Sequence, residues 1–246
     1  MKISATIITL NEADNLENCL NSLEWCDEIV IVDSGSNDNT IEIAKRFGAK
    51  VFYNEFKGFG EQKQFAVSKA KNNWILSIDA DEIITDELKN NILKLDKKGE
   101  VSGWNIPFRT NFLGKVLLHG TCGMEFHLRL FNKKHATFTD SKIHETVTSS
   151  ERIANLKGFI IHQPYSNLNH YFLKFNEYTS MMAQHYYLQK KNLSVIKIFV
   201  KQPIAFFDVY IMRLGFLDGF AGFIWAFLHS FYSTIKYIKL YELYKG

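Results

Sequence analysis

Trp74-Ile75-Leu76-Ser77-Ile78-Asp79-Ala80-Asp81-Glu82 is a short apolar run that leads directly into three acidic residues. Apolar runs of this length, bounded by polar residues, are typical of buried strands. Three similar runs precede it, and helical patterns separate them: Ser4–Thr9, Glu28–Val32 and Lys50–Tyr53. This alternation predicts an α/β fold with a mostly parallel central sheet over the first ~100 residues.

The helices predicted between and after these strands are Asp14–Leu23, Thr40–Phe47, Glu61–Ala70 and Asp86–Leu95. Asn or Asp residues stand where they would cap the first two of them. After Val101 the pattern changes to shorter strands, predicted at Gly103–Arg109, Leu128–Phe131 and Gly158–Ile161. The segment His135–Glu145 reads as a loop, and a helical, aromatic-rich segment follows over Asn167–Gln189.

The composition excludes several classes of protein. Of 246 residues, 46% are hydrophobic and 22% charged, which is ordinary for a globular chain and excludes wholesale disorder. The three cysteines form no CxxC pair, so neither a disulfide framework nor a cysteine-built zinc site is expected, in keeping with a reducing cytoplasm. A net charge of +3 is too small for a general nucleic-acid binder. The N-terminal run resembles a first strand rather than a targeting signal.

Polar and acidic residues follow the predicted strands where each one ends. Asn11-Glu12 follows the first strand, Asp33 the second and Asp79 the fourth. Functional sites of open parallel sheets lie at the carboxyl ends of the strands, so we expect these groups at one edge. Asp33 could accept hydrogen bonds from a base or ribose there, or it could simply cap the next helix.

Asp79 and Asp81 are separated by one residue and would repel each other unless a cation or a proton intervened. Hard oxygen ligands suit Mg²⁺ or Mn²⁺, which are often shared with substrate phosphates. A solvated turn that caps the following helix is the alternative interpretation.

Three ordered motifs, Ile7–Glu12, Ile31–Thr40 and Ile78–Glu82, together resemble inverting glycosyltransferase family 2, whose nucleotide-sugar-binding fold is called GT-A. Further segments are similar to the branch of lipopolysaccharide-core β-1,4-glucosyltransferases: Gly60–Gln64, Arg129–Phe131, His144-Glu145 and Gly215–Gly219. The resemblance extends over nearly the whole chain. It implies a donor that is a nucleotide-diphosphate sugar, such as a UDP-sugar, and a saccharide acceptor that is lipid-linked.

The resemblance also implies roles for individual residues. Those that would contact the donor are Thr9, Asn11, Glu12, Asp33, Lys63 and Asp79. Asp81 would be the direct ligand of a divalent metal, Mn²⁺ or Mg²⁺, with Asp79 close to it. His162, which follows the strand predicted at 158–161, would complete the metal site; a structural histidine is the alternative.

Glu145 matches the acidic position that the family uses as the catalytic base, and Asp140 is the competing candidate. Many members carry an aspartate base in an acidic pair, whereas His144 precedes the glutamate here. Arg129 and His144 are candidates for acceptor binding. The reaction implied is attack of an acceptor hydroxyl on the anomeric carbon with inversion.

The last fifth of the chain differs from the rest. From Ile196 to Gly246, 14 of 51 residues are aromatic, and six Lys or Arg stand against three Asp or Glu. Asp208, Arg213, Asp218 and His229 argue against a transmembrane span within Ile204–Ile235, so helices lying in a membrane interface are expected. A helical layer or a homo-oligomer contact is the alternative. We therefore expect domains at residues 1–165 and 166–246 and a peripheral location on the cytoplasmic face of the inner membrane.

Two other functions share features with this pattern. A nucleotidyltransferase would carry a Gly-rich, basic loop after the first strand, which Thr9–Glu12 lacks. An inactive scaffold that binds membranes or a partner would have no need to keep the candidate site residues, which are present together: Asp33, Asp79, Asp81, Glu145 and His162.

Overall fold

The structure, a computed structural model, describes residues 1–95, 101–122, 126–139 and 146–245. Its first four strands are parallel and are connected by helices. The strands are β1 (Ile3–Thr9), β2 (Glu28–Asp33), β3 (Lys50–Tyr53) and β4 (Trp74–Ser77), and the helices are α1 (Ala13–Asn21), α2 (Thr40–Arg46) and α3 (Phe59–Lys69). The strand order is β3-β2-β1-β4, and the bounds predicted for these elements agree to within two residues. The predicted α/β fold class is confirmed.

Antiparallel strands extend this sheet beyond β4. The further elements are β5 (Glu82–Ile84), α4 (Asp86–Leu93), β6 (Gly103–Phe112), β7 (Lys115–Val116), β8 (Phe126–Asn132), β9 (Ala136–Phe138), β10 (Val147–Ser149), β11 (Ile153–Asn155) and β12 (Ile160–His162). The order continues as β4-β8-β6-β12-β5, with β8 antiparallel to both β4 and β6. The sheet is therefore mixed.

The segment 135–145 is not wholly a loop, because β9 lies within it and pairs with β10. Strands of three residues are too short to show an alternating pattern, which is why the sequence did not indicate them.

β1 lies in the middle of the sheet and is buried along nearly its whole length. Ala5 and Ile7 are fully buried, as are Leu16 and Leu20 of α1 and Leu76 of β4. A strand in the middle of a parallel sheet is covered on both faces and therefore reads as a nearly continuous apolar run. This packing fixes the position at which β1, β2 and β4 end.

The prediction that an Asn or Asp caps α1 and α2 is confirmed in part: an Asp does so, but not from the position next to either helix. Neither Glu12 nor Asn39, the residues at the two N-cap positions, accepts a capping hydrogen bond. Instead, Asp38 serves both helices: Oδ2 accepts from the backbone N–H of Ala13 at 3.2 Å and Oδ1 from that of Thr40 at 3.0 Å. The two loops after β1 and β2 are thereby joined to each other.

The chain divides into two compact units. Unit 1 comprises Met1–Arg109 and Met124–Gln163, and unit 2 comprises Thr110–Gly123 and Pro164–Gly246. The sequence-based division between residues 165 and 166 lies two residues from the last of these boundaries and does not assign the segment 110–123 to the C-terminal part.

The C-terminal stretch of unit 2 is mostly helical. It contains α5 (Leu168–Leu188), α6 (Val195–Phe207), a π-helical turn (Asp208–Met212), a 3-10 turn (Gly215–Asp218) and α7 (Gly219–Lys245). Pro203 lies inside α6 and Gly222 inside α7. Gly222 lies where its helix passes directly over the carbonyl of Gly215, and a Cβ there would collide with that oxygen.

Asp218 anchors the segment 110–123 within unit 2. Its buried carboxylate accepts hydrogen bonds from the backbone N–H of Leu118 at 3.1 Å and of His119 at 2.9 Å. His119 Nδ1 lies 3.1 Å from Oδ1, and Lys115 Nζ donates to the Asp218 carbonyl at 2.6 Å. The motif Gly215–Gly219 therefore has a structural role, because its Asp218 binds residues 115–119.

Among the described residues, no single helix is both long and apolar enough to cross a membrane. Ile198–Met212 and Gly215–Lys245 together meet the criterion by length and composition, with a bend of 71° between them.

Candidate active site

Asp33, the last residue of β2, organises the loop that follows it. Its carboxylate accepts hydrogen bonds from the hydroxyl of Thr9 and from the backbone N–H groups of Gly35 and Ser36, each at 2.8 Å. Burial alone would raise the pKa of Asp33, but these hydrogen bonds hold it below its ordinary value. Gly35 has φ of +105°, a conformation that side chains disfavour. Both carboxylate oxygens are thus used within the chain, and contact with a nucleotide stays a prediction.

The loop after β1 is held against the loop after β2. Asn11 adopts a left-handed conformation with φ of +56°; its N–H donates to Ser36 Oγ at 2.8 Å and its side-chain oxygen accepts from Asn37 N at 2.9 Å. The N–H of Glu12 donates to Thr40 Oγ1 at 2.8 Å. Thr9, Asn11, Glu12 and Asp33 are therefore brought to one edge of the sheet, as the strand ends predicted.

Asp79, just beyond the end of β4, lies between two cations. Lys63 Nζ is 2.9 Å from Oδ1, and Arg129 Nη2 is 3.0 Å from Oδ2. Lys63 comes from α3, where its side chain is buried, and Arg129 comes from β8. Burial would raise the pKa of Asp79, but the two cations dominate and hold it well below its ordinary value. Asp79 is therefore ionised at neutral pH.

Glu82 is a site residue to which the sequence assigned no role. It is buried, its Oε1 lies 2.8 Å from Arg129 Nη2, and its Oε2 accepts from the Asp79 backbone N–H at 2.8 Å. Burial raises the pKa of Glu82 to about 7; the Asp79 carboxylate adds to this effect and Arg129 opposes it. The only signal in the sequence is its place as the third acid of Asp79–Glu82.

Asp81 and His162 meet at the same edge. His162 Nε2 lies 3.2 Å from Asp81 Oδ2, and Gln163 N donates to the Asp81 carbonyl at 2.8 Å. The antiparallel pairing of β5 with β12, in which His162 stands opposite Glu82, produces this contact. Burial lowers the pKa of His162, but the Asp81 carboxylate outweighs it and the net shift is upward.

These residues fit a divalent metal that shares its shell with a substrate. Within the described ranges, no three His, Cys, Asp or Glu side chains converge as a complete metal site. Asp81 and His162 would supply two ligands, and phosphate oxygens and water would supply the rest, as is usual for Mg²⁺. Oδ1 of Asp79 is buried and lies 2.9 Å from Lys63 Nζ, so a cation already stands beside it. Direct ligation by Asp79 stays a prediction.

Comparison with protein families gives a match to the model described as "Glycosyl transferase family 2" over residues 4–149. The chain belongs to glycosyltransferase family 2. An uncharacterized glycosyltransferase of Rickettsia bellii is 32% identical over 98% of this chain and 87% of its own length. The lipopolysaccharide core biosynthesis glycosyltransferase LpsC of Rhizobium meliloti is 29% identical over 98% of this chain and 93% of its own length.

Solved structures show a partial similarity to this glycosyltransferase. Mannosyl-3-phosphoglycerate synthase from Rubrobacter xylanophilus is 23% identical with a TM-score of 0.40, over 45% of this chain and 41% of that one. Glucosyl-3-phosphoglycerate synthase from Mycobacterium tuberculosis, in complex with Mn²⁺ and UDP among other ligands, is 22% identical with a TM-score of 0.35, over 46% and 44%.

Not every predicted residue of the glycosyltransferase lies in the part of the chain that the structure describes. The candidate base Glu145, its competitor Asp140 and the acceptor candidate His144 fall outside the described residues. Arg129, the other acceptor candidate, has a side chain only 14% exposed and is held by Asp79 and Glu82. The structure places it among the buried charges of the site, and acceptor contact stays a prediction.

Proposed function

We propose that this glycosyltransferase moves a sugar from a UDP-sugar or a similar nucleotide-diphosphate sugar to a lipid-linked saccharide, with inversion at the anomeric carbon. The acceptor would be the lipopolysaccharide core or a related envelope glycan. One observation carries the proposal: Asp33, Asp79, Asp81 and His162 are brought to one edge of the sheet by the ends of β2, β4 and β12. The similarity to LpsC over nearly the whole chain supports the acceptor class.

The charges of the site residues suggest a role for each of them. Asp81 and His162 would hold the metal, which when bound would neutralise charge that develops on the leaving diphosphate. Lys63 and Arg129 keep Asp79 ionised and fixed beside them. The joined loops after β1 and β2 would receive the nucleoside, and their mutual hydrogen bonds preorganise them before it binds.

Glu145 is proposed as the base on the strength of its sequence match. It would take the proton from the acceptor hydroxyl while that hydroxyl attacks the anomeric carbon from the face opposite the diphosphate. The bond to the diphosphate oxygen breaks as the new glycosidic bond forms, which inverts the configuration.

Unit 2 is proposed to hold the enzyme at the cytoplasmic face of the inner membrane. Between residues 196 and 220, seven large apolar side chains are more than half exposed: Ile196, Phe199, Ile204, Phe207, Met212, Leu217 and Phe220. Apolar exposure on this scale marks a surface that contacts another molecule or a membrane. A homo-oligomer through the same surface is the competing outcome.

The proposal is tested with the purified chain, a panel of nucleotide-diphosphate sugars and extracted envelope lipids. We expect nucleoside diphosphate release that needs Mn²⁺ or Mg²⁺ and that lipid acceptor accelerates. Release of pyrophosphate from a nucleoside triphosphate would indicate a nucleotidyltransferase, and the absence of any nucleotide binding would indicate a scaffold. Sedimentation of the protein with membranes, compared with a discrete soluble oligomer, tests the location.

A further inference from the structure

Three lysines and three tyrosines gather in unit 2, far in sequence from the candidate active site. This lysine–tyrosine cluster consists of Tyr186, Lys191, Lys201, Tyr232, Lys236 and Tyr237. Lys201 Nζ donates to the Tyr237 hydroxyl at 2.9 Å, and Lys191 Nζ lies 3.6 Å from the centre of the Tyr186 ring. Lys236 Nζ lies 5.2 Å from the centre of the Tyr232 ring. The cluster joins the end of α5 to α6 and α7.

The positive charge of the cluster has no negative counterpart among the residues that the structure describes. No carboxylate there lies within 4.0 Å of Lys191, Lys201 or Lys236. Burial lowers the pKa of Lys236; Tyr237 opposes this effect, and the charges of Lys201 and Lys191 add to it. The three half-buried ammonium groups of the cluster repel each other, and this repulsion disfavours their charged forms. A bound anion would offset the repulsion.

Lys239, three residues beyond Lys236 on α7, shows the contrast. Its Nζ donates to both the carbonyl and the side-chain oxygen of Asn176, at 2.8 and 2.7 Å, and to the hydroxyls of Thr179 and Ser180 at 2.9 and 2.8 Å. Lys239 therefore has the acceptors that a structural lysine needs. The cluster lysines instead contact the faces of aromatic rings, and Lys201 also donates to the Tyr237 hydroxyl.

An apolar groove is formed by the same two helices that carry Lys201 and Lys236. The α6–α7 groove has a volume of about 460 Å³ and is lined mainly by apolar side chains, among them Ile198, Phe199, Phe231, Ile235, Ile238 and Tyr241. Lys201 directly precedes Gln202, another lining residue, and Lys236 directly follows Ile235. The lysines of the cluster and the apolar groove thus lie on the same pair of helices.

We propose that the lysine–tyrosine cluster binds the phosphate group of an anionic lipid, and that a hydrocarbon chain of the same lipid occupies the α6–α7 groove. Ammonium and phenol groups are hydrogen-bond donors suited to phosphate oxygens, and the groove offers the apolar surface that a lipid tail buries. The proposal deepens the proposed function and rests on it for the biological setting, since a lipid-linked acceptor carries both groups. Soluble phosphate lacks the tail and would use only half of this site.

The test measures binding of the full chain to vesicles at fixed ionic strength. One set of vesicles consists of phosphatidylcholine alone. The other set contains phosphatidylcholine together with the anionic lipid phosphatidylglycerol. The variants are Lys201→Gln with Lys236→Gln, and Lys191→Gln with Lys236→Gln as a second pair in case the first is unstable. Gln keeps a donor for Tyr237 while it removes the charge. The matched control, Lys94→Gln with Lys157→Gln, removes the same net charge from exposed positions in unit 1.

We expect each cluster pair to weaken binding to the anionic vesicles by about tenfold or more, and the control pair by less than about threefold. Phe199→Gln with Ile238→Gln should weaken binding to the same vesicles, while excess inorganic phosphate should compete only poorly. Equal losses in cluster and control variants, or unchanged binding in both cluster pairs, would overturn the proposal. Full competition by inorganic phosphate would show a free-phosphate site and also overturn it.

UDP binding by the wild-type chain is measured on the same preparations. If UDP does not bind while the vesicles do, the proposed function fails and the lipid site stands. If UDP binds but the cluster variants behave like wild type, only the lipid site fails. Melting temperatures of all variants show which of them are folded.

Discussion

Arg129 and Glu82 form a buried ion pair, in which Nη2 lies 2.8 Å from Oε1 and the two side chains are 14% and 3% exposed. The same guanidinium contacts Asp79, so one cation serves two carboxylates. Breaking a buried pair by removing one partner leaves a charge without compensation, which costs far more than the loss of an exposed pair. Removal of Arg129 should therefore lower the stability of the protein, because it breaks two ion pairs at once.

Arg129→Met should therefore lower the free energy of unfolding by about 3–5 kcal/mol, because the buried Glu82 loses its cation, whereas Asp79 keeps Lys63 beside its Oδ1. Glu82→Gln added to this variant should recover part of the loss, with a coupling energy of about 1–3 kcal/mol in a double-mutant cycle. Denaturant unfolding measures both. Arg46→Met is the control, since Arg46 and Glu17 are 3.6 Å apart and more than half exposed. A loss at Arg46 as large as that at Arg129 would contradict the interpretation.

Asp81→Asn should abolish the strengthening of UDP binding by Mn²⁺, because the change removes the carboxylate that lies 3.2 Å from His162 Nε2. Calorimetric titration of UDP with Mn²⁺ and with EDTA measures the ratio of the two dissociation constants. Asp86→Asn, an exposed position in the first turn of α4, should leave that ratio at its wild-type value. Wild-type UDP binding that is equally tight in EDTA would exclude a metal role for Asp81.

Glu145→Gln should lower sugar transfer by about 10²–10⁴-fold, the usual contribution of a general base, with UDP binding retained. Gln is nearly the same size, so the substitution removes the proton acceptor and little else. Turnover and UDP affinity are measured on the same preparation. Asp140→Asn is the comparison: a large loss there, with Glu145→Gln active, would transfer the role to Asp140.

Asp218→Asn should destabilise unit 2 by about 1–3 kcal/mol at neutral pH, because Asn cannot accept all the hydrogen bonds that the carboxylate accepts. Burial would raise the pKa of Asp218, but the hydrogen bonds from His119 and Leu118 hold it below its ordinary value. A carboxylate with a lowered pKa stabilises the fold above the unfolded pKa of about 4, and this contribution is lost as the pH falls through the folded pKa.

The difference in melting temperature between wild type and Asp218→Asn should therefore be large at neutral pH and shrink as the pH falls below about 4. Asp208→Asn serves as the control, because Asp208 is 47% exposed and its ion pair with Arg213 contributes little. A difference that does not vary between pH 7 and pH 3 would show that Asp218 acts through packing alone.

The parallel half of the fold could be predicted because its signals are local. Each of the strands β1, β2 and β4 is an apolar run that stops at a polar residue, so Asp33 and Asp79 could be assigned to one edge before any contact was known. The approach of His162 to Asp81 was expected from the resemblance, and the pairing of β5 with β12 gives it a geometrical cause.

The remaining features depend on contacts between distant residues. Nothing near Arg129 in the sequence shows that it meets Glu82, 47 residues away, because only the register of β8 in the sheet brings them together. The bond from Ala13 to Asp38 is of the same kind: local preference predicts a cap from the adjacent residue, whereas the neighbouring loop supplies it. Asp218 likewise meets its partners across 99 or 100 positions.

The attachment of residues 110–123 to Asp218 has a consequence for building chimeras. Unit 2 is assembled from two separate stretches of the chain, and β6 runs without a break from the first unit into the first of these stretches. A hybrid that exchanges only the residues after 164 with a relative would pair a foreign Asp218 position with the resident Leu118 and His119. Recombination that keeps the native partners of Asp218 needs two crossovers around 110–123 and a third at 164, so that the C-terminal helices are exchanged together with the segment 110–123.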